Sequence, residues 1–65
     1  SMLLDLYAVA EESYGDAEVA ATRLQAMSER RFHVDNYGMI PQDRYADAIR
    51  SIRIDAKRLQ ENDNG

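Results

Sequence analysis

The sequence predicts an all-α protein: an antiparallel helical hairpin with a long first helix, bent or broken at Gly15, and a second helix. Two long stretches carry apolar residues at the i, i+3, i+4 spacing of a helix face. Between them lies turn chemistry, Asn36-Tyr37-Gly38. The chain's single proline, Pro41, stands where the last helix would begin.

The first arm is expected over about residues 2–32. Leu3, Leu6, Tyr7, Ala10 and Tyr14 share one face, and Ala17, Ala20, Ala21, Leu24, Met27 and Ser28 continue as a second stripe. Gly15-Asp16 admits two readings. Gly15 can cap one helix while Asp16 starts the next, or a single helix can tolerate the glycine at about 1 kcal/mol. The series Leu3, Tyr7, Ala10, Tyr14, Ala17, Ala21, Leu24, Ser28 keeps its alternating steps of four and three across Gly15. That continuity favours one long helix.

Residues 33–41 form an apolar loop. With the adjoining Phe32, its residues Val34, Tyr37, Met39 and Ile40 either pair briefly as a small hairpin or, the preferred reading, fold over the end of the helix pair. The last helix is expected over 42–61, with a stripe of Tyr45, Ala48, Ile49, Ile52, Ala56 and Leu59, and 62–65 as a frayed tail. These stripes put about three-quarters of the chain in helix.

At 65 residues the chain makes one domain. A domain this small is marginal unless stapled. It has no cysteine and one histidine, so disulfides, thiolate sites and His-rich metal sites are excluded. No apolar run approaches the roughly 18 residues of a membrane span. No basic-then-apolar leader opens the chain, and Ser1-Met2 reads as a cloning remnant before an initiator. A cytoplasmic protein is expected.

Burial needs also suggest a homodimer. A first arm of some 30 residues would be about 45 Å long against about 30 Å for the second. Its overhang would leave Leu3, Leu6, Tyr7 and Tyr14 to be covered by a second copy in a four-helix arrangement. The alternative is a compact three-helix bundle turned at Gly15.

The net charge of −4 is uneven. Residues 1–22 hold Asp5, Glu11, Glu12, Asp16 and Glu18 and no basic residue, whereas 23–65 hold all eight basic residues against seven acidic ones.

No catalytic constellation is present. His33 has no orienting partner that the sequence can place. Asp43 and Asp47 stand four apart on a helix face, too few ligands for a cation site. Asp35-Asn36-Tyr37-Gly38 lacks the spacing and closing glutamate of a calcium loop. No phosphate-binding glycine loop occurs. No catalytic, cofactor-binding or metal-ligating residue is therefore assigned, and the protein is not expected to be an enzyme.

The expected function is a protein–protein interaction module, an adaptor, inhibitor or assembly factor of the kind found among bacterial and phage accessory proteins. Candidate partner-binding residues are Tyr37, Met39 and Ile40 in the loop and Arg50, Arg53 and Ile54 on the last helix. Ile54 stands out because it lies nearly opposite the Ile49–Ile52 stripe. Val19 and Ala26 are likewise off the main stripe. The alternative is a small nucleic-acid-binding regulator using the arginine face of the last helix. Acidity and the interspersed Asp43, Asp47 and Asp55 weigh against it, since phosphate binding needs a basic footprint.

Overall fold

A computed structural model describes residues 5–64. These residues are all-α: 83% are helical, and among them there is no strand. The elements are α1 (Leu6–Tyr14), α2 (Ala17–Arg31), two 3-10 turns (Tyr37–Met39 and Gln42–Arg44) and α3 (Tyr45–Asn64).

The first helix starts later than the stripe suggested. Asp5 is its N-cap: the carboxylate accepts from the Tyr7 N–H at 3.0 Å, satisfying one of the donors left open by a helix start. The part of the expected arm over 2–4, including Leu3, lies outside the described residues.

The expected continuous arm does not form. α1 stops at Tyr14 because Gly15 adopts the left-handed conformation (φ 73°) and donates its N–H to the Glu11 carbonyl at 2.9 Å. Asp16 then caps α2, its side chain accepting from the Val19 N–H at 3.0 Å. Two capping devices on consecutive residues outweigh the unbroken register. Beyond the turn, Ala17 and Ala21 of the expected seam face solvent, and the buried stripe of α2 is Ala20, Leu24 and Ser28.

α1 packs on both α2 and α3. The core joins Leu6 and Ala10 of α1, Ala20 and Leu24 of α2, Ile40 of the loop, and Ala48 and Ile52 of α3. Each fully buried Leu or Ile contributes roughly 1.5–3 kcal/mol. Ser28, also buried, donates its hydroxyl to the Leu24 carbonyl at 2.8 Å, so its burial leaves no polar atom unpaired. Leu6, one of the residues expected to need a second copy, is therefore covered within its own chain.

The loop forms no hairpin. His33 takes a left-handed conformation (φ 57°) after α2, and the Val34 N–H then reaches back to the Ser28 carbonyl at 3.1 Å. The Asn36 side chain accepts from the Gly38 N–H at 2.9 Å and caps the first 3-10 turn. Gln25 ties the loop to α2 by donating to the Asp35 carbonyl. The outcome is the preferred reading: Phe32, Val34 and Ile40 fold onto the core. α3 continues helical through the expected tail to Asn64.

Candidate interaction cleft

α2 and α3 run antiparallel, and two ion pairs fix their register. Arg23 meets Asp55 at 2.9 Å and Arg31 meets Asp47 at 3.0 Å. The eight-residue step along α2 is matched by an eight-residue step back along α3. Their backbones nevertheless stand apart, because α1 wedges against both. Polar side chains bridge the gap. Arg23 donates through Nε and Nη2 to the two oxygens of Asp55, each at 2.9 Å, a bidentate geometry. The Tyr14 hydroxyl donates to Asp55 Oδ2 at 2.6 Å. One carboxylate on α3 thus gathers a side chain from each of the other helices. Burial, then the bond to Asp55, pushes the Tyr14 hydroxyl well above its ordinary pKa, while Arg23 opposes the rise.

The Arg23–Asp55 pair partitions the gap into two open grooves. The larger, of about 730 Å³, is walled by Tyr14 from the end of α1, Val19, Thr22 and Arg23 from α2, and Ala56 and Leu59 from α3, with Glu18, Gln60 and Asp63 along its lips. It extends the core stripe of α3 past the point where α1 turns away. The smaller, of about 370 Å³, is lined by Arg31 of α2 and by Asp47, Arg50, Ile54, Asp55 and Arg58 of α3. Asp47 accepts from both Arg31 and Arg44, and these two bonds, Arg31 first, hold its carboxyl below the ordinary range.

The sequence-predicted residues are scattered over this surface. Ile54 (42% exposed) and Arg50 share the smaller groove, while Arg53 is exposed but lines neither. Tyr37 and Met39 are exposed on the loop, with Tyr37 stacked on Tyr7 at a ring separation of 6.4 Å. Ile40 does not belong with them: at 3% exposure it is a core residue, turned inward by the 3-10 turn before it. Leu6 is likewise core, Tyr7 and Tyr14 are half-buried within the chain, and Leu3 falls outside the described residues. Val19 and Ile54 do not form one surface. They line different grooves, and Ala26 lines neither.

The larger groove escaped the sequence reading because its walls belong to three helices, one of them created by the break at Gly15. A usable signal was present: two arginines eight apart on one stripe, Arg23 and Arg31, and two aspartates eight apart on another, Asp47 and Asp55.

Among the described residues no group of three or more His, Asp or Glu side chains is placed to hold a metal ion. No helix there is long and apolar enough to cross a membrane. No family model, curated protein or solved structure matches the chain.

Proposed function

We propose that the protein is a non-enzymatic protein–protein interaction module, an adaptor, inhibitor or assembly factor that receives its partner along the α2–α3 cleft. One observation carries this reading. Two neighbouring helices with widely spaced backbones are bridged by ion pairs and a tyrosine hydroxyl, and the space beside that bridge stays open and partly apolar. Grooves between helices are a recurrent seat for partner segments. Homodimerisation is not part of the proposal, since Leu6 of the seam that argued for it is buried within its own chain.

A nucleic-acid-binding role is the second reading, favoured by the convergence of Arg31, Arg50 and Arg58 on the smaller groove. Asp47 and Asp55 lie among them, and the net charge of −4 opposes a phosphate backbone.

Photocrosslinking in the native host tests the proposal, with benzoylphenylalanine placed at Val19 or Ile54 and, as control, at the exposed Glu29. Discrete protein adducts at Val19 or Ile54, absent at Glu29, are expected. Adducts to nucleic acid alone, or none above the control, contradict it.

A further inference from the structure

We infer that the larger groove takes an amphipathic helix whose apolar face is flanked by Lys or Arg. The inference rests on the interaction-module reading and names the chemistry of its partner.

Shape is the first ground. The α3 wall runs from Ala56 through Leu59 and Gln60 to Asp63, eight residues spanning about 10 Å of helix. An incoming helix presents apolar side chains at i, i+3 or i+4, and i+7 over the same length. Val19, Ala56 and Leu59 offer it apolar walls, and the small side chains of Ser13 and Thr22 leave room for a close approach.

Charge is the second ground, and it selects the occupant. Glu18 and Asp63 stand on opposite lips of the groove. Among the described residues, the one cation on its wall, Arg23, is already matched by Asp55. The chain that forms the α1 and α2 walls up to Thr22 carries five carboxylates and no basic residue. At the far end, the last turn of α3 has no basic residue, although a helix C-terminus favours one. A partner's Lys or Arg would answer both the lips and this helix end.

A second copy of the chain fits poorly. Facing grooves across a two-fold axis would set Glu18 and Asp63 against their own copies, within an assembly of net charge −8, twice −4. A small ligand would sit in a groove that is open to solvent along its length, with much of its surface uncovered.

The test is a titration of the full chain with two stapled helical peptides of about 15 residues, long enough for the required turns. Both carry Leu at i, i+4 and i+7. One is flanked by Lys and its twin by Glu. Amide resonances report the site, and fluorescence anisotropy reports affinity. The Lys peptide is expected to shift Val19, Thr22, Ala56, Leu59 and Gln60 and to bind at least about tenfold tighter than its twin, with the preference shrinking as salt rises. The double variant Glu18→Lys/Asp63→Lys, with circular dichroism checking its fold, is expected to reverse the order.

Equal binding of the twins, or no shifts at the groove, overturns the inference. So do shifts centred on Ile54, or concentration-dependent shifts of the free protein at the same amides, which would mark a second copy. The two readings fail separately. A protein adduct at Ile54 but not Val19 keeps the module and rejects this groove, whereas adducts at neither reject the module itself.

Discussion

Arg23 and Asp55, thirty-two residues apart, meet through two hydrogen bonds of 2.9 Å and tie α2 to α3. Both side chains are more than one-third exposed, so solvent screens much of their Coulomb attraction. Asp55→Ala also strands the Tyr14 hydroxyl. A loss of about 1–2 kcal/mol in urea unfolding is expected. Tyr14→Phe should cost about 1 kcal/mol or less. A double-mutant cycle of Tyr14→Phe with Arg23→Ala should show coupling, because both groups bind one carboxylate.

Gly15→Ala is expected to lower the melting temperature. A Cβ at Gly15 meets no atom within 4 Å, so the penalty is purely that of a left-handed backbone, about 1 kcal/mol. A rise in melting temperature would indicate a helix running straight through residue 15.

His33→Gly is the converse case. His33 holds a left-handed conformation at the end of α2, the position where glycine carries no Cβ penalty. Stabilisation by roughly 0.5–1 kcal/mol is expected from thermal unfolding. Destabilisation would mean that the imidazole contributes a contact outweighing the backbone strain.

Stability should fall on both sides of neutrality, for two identifiable reasons. The pKa of Tyr14 is raised by folding, so its contribution is complete below the ordinary value of 10.0 and is lost as pH climbs beyond that toward the folded value. The pKa of Asp47 is lowered, so its contribution is complete above the ordinary 3.8 and is lost as pH drops below that. Tyr14→Phe is expected to flatten the alkaline limb of a melting-temperature profile and Asp47→Asn the acid limb.

The helical class and the core of α3 were legible because Tyr45, Ala48, Ile49 and Ile52 leave only one face to bury. The break at Gly15 was written in the caps, yet the register argued against it. That register ran through Ala17 and Ala21, whose small side chains bury or expose at little cost and so carry little phase information. Asp5 was hidden by Leu3, which extends the sequence stripe past the start of α1. Ile40 looked like a loop residue available to a partner, because no sequence pattern shows a 3-10 turn rotating one side chain inward. The charge asymmetry of the two halves was legible. Its consequence, an acidic-lipped groove beside an arginine-lined one, depended on how the three helices meet.

The claim that the larger groove is the docking surface is tested most directly by filling it. Ala56→Leu places a larger side chain on the groove wall from a half-buried position on α3. The melting temperature is expected to hold or rise slightly, since added apolar area packs against Val19 and Leu59. Photocrosslinking from Val19 should fall to the level of the Glu29 control. Undiminished adducts at Val19 in a variant of unimpaired stability would contradict the assignment.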